Sequence, residues 1–218
     1  MVKFSNDVDI LKYEPVLFGE LHLPWQVLAA GTGGSLSGTT FTASGVDFAG
    51  AQVSAGGVVY VRSADGTVDG AYEIVSVDSA TQLTVSVIRA DSEIEPIAPP
   101  AGTNLTYRVG TFEPQAVEAA FALTEYFGIK PGNAASEFDA EDIMDTQALR
   151  RASVFAVIAG VYAMLAGKAK DENFWKKSVH YQGLFEKAKG RCQLSIDAGA
   201  DGVVDLTRLG AATRLVRD

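Results

Sequence analysis

Three aspartates near the C-terminus, Asp197, Asp201 and Asp205, stand at the first, fifth and ninth positions of a calcium-binding loop, with Gly202 at the sixth, where such a loop turns sharply. Carboxylates at that spacing could hold a hard divalent cation. The third position, however, is Gly199, and the twelfth, which calls for a bidentate Glu, is Arg208. Half the ligand set is missing, so a tight Asx/Gly turn is preferred and a bound cation is the alternative. A second acidic group, Glu137, Asp139, Glu141, Asp142 and Asp145, could also attract a metal ion, but it lies just ahead of an apolar helical stretch. Helix capping and solvation account for it better, because a helix N-terminus favours negative charge.

Other chemistries lack parts. Gly167-Lys168 is followed by Ala169 and preceded by a helical pattern, whereas a phosphate-cradling loop needs a Ser or Thr after the Lys and a strand before the loop. Gly31-Thr32-Gly33-Gly34-Ser35-Leu36 has Leu36 where a dinucleotide fingerprint needs its third Gly, and reads as a flexible loop. The only histidines, His22 and His180, fall in different segments with no nucleophile signature beside either. The single cysteine, Cys192, can form neither an internal disulfide nor a zinc-type pair. The expectation is a protein without catalysis, cofactor or resident metal, working through its surfaces.

Composition agrees with that class. The chain has 218 residues, 47% of them hydrophobic, enough for a sizeable core. Its net charge of −9 argues against extensive binding to nucleic-acid phosphates. The charge is uneven: residues 168–191 carry seven basic against three acidic side chains, in an otherwise acidic chain. That segment is a solvated helix face or a dock for an acidic surface, the former being preferred. The longest apolar run, Ala152 to Gly167, is shorter than the roughly 20 residues a bilayer crossing needs, and reads as a buried helix. The first residues, MVKFSNDVDILKYEP, have acidic groups where a secretion signal would be basic, so a reducing cytosol is expected and Asn104-Leu105-Thr106 is a chance glycosylation triplet.

Four parts follow along the chain: residues 1–26 as an N-terminal arm or helix, 27–110 as a β domain, 111–192 as a helical domain and 193–218 as a C-terminal extended arm. The β part predicts strands at Thr39–Thr42, Val58–Arg62, Ala71–Val77, Gln82–Ile88 and Leu105–Val109, paired as antiparallel hairpins into a small barrel or sandwich. The three prolines of Glu95 to Gly102 make that stretch a loop. Beyond Thr111 the period turns helical. Pro114 opens a helix with its apolar stripe at Val117, Ala120, Phe121, Thr124 and Phe127, and residues 129–133 turn the chain. The Ala152–Gly167 helix should be the most buried. Asp171 is placed to cap a last helix whose seam is Phe174, Ser178, Tyr181, Phe185, Ala188 and Cys192. The fold class is α+β.

This order of parts resembles the head–tail adaptor, or connector, proteins of tailed bacteriophages. The likeness is carried by the FSNDVDILKYEPVLF arm, the β insertion ending in Tyr72-Glu73-Ile74-Val75-Ser76-Val77-Asp78 and Leu83-Thr84-Val85, the buried Ala/Val helix, and the helix with Phe174-Trp175, Tyr181 and Phe185 ahead of the DxxxDGxxD arm. The resemblance implies a structural virion protein of the neck, assembled in the host cytoplasm with no membrane. It implies a ring, expected as a dodecamer, beneath the portal protein, which extends the DNA channel without specific DNA binding and docks a tail terminator, stopper or neck protein. The large β insertion departs from the mainly helical members of that family. Residues expected at interfaces are Trp175, Lys176, Lys177, His180, Lys187 and Arg191 of the basic segment, and Arg208, Arg214 and Arg217 of the arm, whose guanidinium groups suit partner carboxylates. The alternative function is a virion decoration or glycan-binding module carried on the β domain, with Tyr60, Tyr72 and Tyr107 as candidate contact residues.

Overall fold

The computed structural model describes residues 2–129, 135–169 and 172–210. The turn expected at 129–133 lies, apart from Ile129, outside the described residues, as do the Asp171 cap, Arg214 and Arg217. The protein is α+β and divides into two compact units, one of Asn6–Phe112 and the other of Met1–Ser5 with Glu113–Asp218.

In the first unit, strands β1 (Val27–Ser37), β2 (Thr40–Thr42), β3 (Val58–Arg62), β4 (Asp69–Ser79), β5 (Gln82–Ser86) and β6 (Gly102–Gly110) close into a barrel in the order β1-β2-β5-β4-β3-β6. Every pairing is antiparallel. Alternation dictates what faces inward: Leu83 and Val85 of β5, and Leu105, Tyr107 and Val109 of β6, are buried at every second position. Phe41, Phe48 and Tyr107 meet edge to face or tilted at the centre, with Phe41 and Tyr107 ring centroids 5.3 Å apart. Closure leaves this sheet without a free edge.

Strand β1 corrects the reading of residues 31–36 as a flexible loop. Its glycines have no side chains to pack, yet aromatic rings from neighbouring strands lie on their backbone. A Cβ on Gly31 would sit 2.8 Å from the Tyr107 hydroxyl, and one on Gly34 would sit 2.9 Å from the Phe41 ring. The pairing of β1 with β6 shifts register between Gly31 and Gly34, around Gly33 with its φ of +76°. These are the marks of a bulged strand covered by aromatics.

Residues 6–26, within the stretch expected as an arm or helix, are packed. Helix α1 (Asp7–Leu11) begins with a reciprocal cap between Asn6 and Asp9, and Val8 N–H donates to the Gly56 carbonyl at 3.0 Å. Ile10, Leu11, Leu17 and Phe18 are buried, because that much apolar surface is costly to leave in water. The segment between β5 and the Pro-rich loop is tied down by a buried ion pair that the sequence did not announce. Arg89 Nη2 meets Glu73 Oε1 at 2.6 Å, and Arg89 Nη1 donates to the Ser92 and Ile94 carbonyls.

In the second unit, helix α3 (Gln147–Ala169) packs against both α2 (Glu113–Tyr126) and α4 (Glu172–Lys189). Ala152 to Ile158 and Val161 to Tyr162 of α3 are buried almost throughout, as an apolar all-round helix requires. Gln147–Gly167 is long and apolar enough to cross a membrane by length and composition, beyond the length expected from the Ala152–Gly167 run, but 61% of that window is buried against the rest of the protein. The α2 stripe is rotated from expectation. Ala116, Ala119, Ala120, Leu123 and Thr124 are buried while Phe121 is 49% exposed, since small alanines let α2 approach α3 where a phenylalanine would hold it off. The α4 seam runs through Phe174, Ser178, Tyr181 and Phe185 as expected, Ser178 Oγ donating to the Ala159 carbonyl at 2.9 Å. Cys192 lies beyond the helix.

The C-terminal arm is, over its described part, a hairpin. Strands β7 (Gln193–Ile196) and β8 (Leu206–Leu209) pair antiparallel, and Ile143 bridges Ile196 on the other edge of β7. Leu194 and Ile196 are fully buried, and their alternation with polar neighbours makes this segment a strand.

Candidate functional site

The Asp197–Asp205 loop is held by its own carboxylates. Asp205 Oδ2 accepts from the amides of Ala198 and Gly199 at 2.9 and 3.1 Å, and Asp197 accepts from Asp201 and Gly202 at 3.2 and 2.7 Å. Ala200 and Gly202 have φ of +51° and +83°, the left-handed turn geometry that reverses the chain into β8. Among the described residues no group of three or more His, Cys, Asp or Glu side chains is arranged to hold a metal ion. In the 137–145 cluster, Asp139 and Asp142 cap a short turn at Ala140–Asp142 by exchanging side-chain and backbone hydrogen bonds, and the Asp145 carboxylate accepts from Gln147 N–H at the start of α3.

The remaining chemistry-bearing groups are engaged structurally. Cys192 Sγ donates to the Ala148 and Ala188 carbonyls at 3.2 and 3.3 Å, and burial raises its pKa above the ordinary thiol value, the opposite of what a nucleophile needs. His22 Nδ1 lies 3.2 Å from the Gly19 carbonyl, whereas His180 is on the exposed side of α4 with its ring edge-on to Tyr181. Of the candidate tyrosines, Tyr107 is buried, and Tyr60 and Tyr72 are half-buried. Tyr60 donates to Asp69 at 2.6 Å, and burial together with this bond raises its pKa. None of the three is exposed for a glycan to stack on.

The expected interface residues separate into two groups. Trp175, Lys176, His180 and Lys187 are exposed together on the side of α4 opposite its seam, and Arg191 is exposed just past the helix end. Trp175 and Val179, one turn apart, are 57% and 54% exposed. Lys176 pairs with Glu172 at 3.3 Å in an exposed bridge of little energetic weight. Lys177 instead reaches over the seam to donate to the Tyr162 hydroxyl at 2.9 Å. Arg208 also turns inward: its Nη1 donates to the Phe127 carbonyl, and its guanidinium lies 5.5 Å from the Phe138 ring centre.

A second surface of the same unit was not singled out from the sequence. On the outer face of α2, Phe121 stands among exposed Glu118 and Glu125. Beside it a groove of about 360 Å³ runs between α2 and α3, lined by Pro114, Gln115, Glu118, Ala119, Ala156 and Gly160. The signal available in the sequence was Gly160, a residue that costs a helix interior about 1 kcal/mol relative to Ala, at a place where a Cβ would meet nothing within 4 Å.

No family model, curated protein or solved structure matches the chain.

Proposed function

We propose that this chain is a structural virion protein of the head–tail adaptor class. On this reading it forms a ring, expected as a dodecamer, beneath the portal, extends the channel through which DNA passes, and offers a docking surface to tail or neck proteins. The reading has the virion neck as its location and no catalytic step as its task. One observation carries it beyond the resemblance of parts: the helical unit leaves Phe121, Trp175 and Val179 about half exposed on helices whose other faces are well packed. Large apolar side chains in water cost a monomer solubility, whereas a buried Trp is among the strongest anchors an interface has. The acidic balance also suits a channel that must not hold phosphate. Native mass spectrometry of the purified protein mixed with the portal protein of the same phage tests the reading. A stoichiometric ring complex is expected; no association at any salt concentration would sink it.

A further inference from the structure

The two exposed faces of the helical unit differ in both shape and charge. The α4 face projects Trp175 and Val179, with Lys176 and Lys187 exposed beside them together with Glu172, which pairs with Lys176, and Glu186. The α2 face is hollow where the other projects, and it is acidic, with exposed Glu118 and Glu125 and no basic residue between Glu113 and Tyr126, Glu113 itself being paired with Lys3 at 2.8 Å. Both helices pack on α3 and use it for their buried sides, so neither face is consumed by folding.

We infer that these faces bind each other between copies of the chain: Trp175 of one copy enters the α2–α3 groove over Ala119, Ala156 and Gly160 of the next, and Lys176 and Lys187 meet Glu118 and Glu125. The occupant is a second copy because one unit carries both halves of a complementary pair. A projecting indole with lysines beside it suits a hollow rimmed by Glu118 with Glu125 nearby, whereas two α2 faces would set glutamates against glutamates and two projections would not fill a hollow. Such a contact is head-to-tail, so of two joined copies one keeps a free α2 face and the other a free α4 face, and further copies add until the rotation between neighbours closes a ring, the outcome the adaptor reading requires. The small side chains on the groove floor admit a large indole, and at Gly160 even an added Cβ would meet nothing within 4 Å in its own copy, which leaves room above the helix there. The inference rests on the reading of the chain as an assembly protein and names the surfaces by which copies of the chain join.

Single-cysteine variants in a Cys192→Ser background test the direction of the contact. Val179→Cys marks one face and Ala122→Cys the other, and both positions are exposed. Oxidation of the mixed variants is expected to give the mixed disulfide, with either variant alone giving none. Self-linking of Val179→Cys alone, or no linking in the mixture, overturns the inference. In sedimentation analysis of the otherwise wild-type chain, Lys176→Glu with Lys187→Glu should weaken self-association about tenfold, and adding Glu118→Lys with Glu125→Lys should restore it. A wild-type chain that stays monomeric throughout the concentration series overturns the inference as well. Rings that form through these faces yet never bind portal would remove the adaptor reading and leave this contact standing. Portal-bound rings without the mixed disulfide would do the reverse.

Discussion

Arg208 donates from Nη1 to the carbonyl of Phe127 at 3.0 Å, so that a residue of β8 closes the C-terminus of α2 across 81 positions of sequence. The helix ends there because Gly128 takes φ +76° and the Ile129 amide returns to the Thr124 carbonyl at 2.9 Å. A guanidinium at that end also meets the negative pole of the helix. Gly128 is required twice, since a Cβ on it would sit 2.6 Å from Arg208 Nη1.

Arg208→Ala is therefore expected to lower stability by about 1.5–3 kcal/mol, the range for a hydrogen bond to a charged group. Gly128→Ala should cost about 1–2 kcal/mol from its left-handed backbone, plus the clash with Arg208. Because the double variant no longer contains that clash, its loss should fall short of the sum of the two single losses. Urea unfolding followed by helical circular dichroism measures all three; strict additivity would mean that the two residues do not touch in solution.

In the barrel, Gly34→Ala drives a methyl toward the Phe41 ring, which is fully buried and cannot retreat. The expected cost is about 1–3 kcal/mol, as for other overpacked cores. Gly33→Ala, where a Cβ would meet nothing but φ is +76°, should cost only the backbone strain of about 1–2 kcal/mol. Replacing Phe41 by Leu in the Gly34→Ala background should recover part of the loss. Thermal unfolding of the four proteins decides it: equal losses at Gly33 and Gly34 with no rescue would remove the ring-on-glycine account.

These glycines also show where sequence pattern runs out. Strands with alternating apolar residues, such as Leu83 and Val85, announce their inward face, and β3 falls where expected, at Val58–Arg62. Strand β1 carries no such alternation, because its half of the packing is supplied by Tyr107 and Phe41 from other strands, and periodicity within one segment cannot register a ring contributed by another. The same limit misplaced the α2 stripe. Phe121 was assigned inward on hydrophobicity, but the α2–α3 contact is built from alanines, so closeness of backbones outweighed side-chain size. The outer face of α4 was legible because its lysines and Trp175 are local in sequence. The groove between α2 and α3 was not, since residues of two helices about forty positions apart make it.

Cys192 offers a pH test. Its folded pKa is raised by burial, so the thiol form is favoured in the native state, and the associated stability is present below the ordinary thiol pKa and lost as pH rises through the raised value. Alkylation at mildly alkaline pH should accordingly be several-fold slower in the native protein than in urea, with the native rate still climbing at a pH where the unfolded rate has levelled. Equal rates in the two states would show that the Ala148 and Ala188 carbonyls do not hold the sulfur in a buried thiol form.

The aspartate loop distinguishes a bracket from a binding site through paired substitutions. Asp197 and Asp205 each accept two backbone amides, and the Asp197 and Asp205 oxygens and the Asp201 carboxyl carbon lie 3.8 to 3.9 Å from the point a Gly199 Cβ would occupy. If hydrogen bonding is their work, an asparagine at 205 keeps an acceptor oxygen and relieves like-charge repulsion, so Asp205→Asn should be close to neutral. Asp205→Ala removes the acceptor and should cost about 0.5–1.5 kcal/mol, because the amides it releases are near solvent and regain water. A cation site would behave differently. There both variants would lose calcium affinity, Ala more than Asn, whose amide oxygen can still ligate, and calcium would raise the melting temperature of the wild type by binding only the folded state. The expected result is an unchanged melting temperature with calcium and an Asn variant more stable than the Ala variant, since Gly199 and Arg208 stand where a calcium loop needs its third and twelfth ligands.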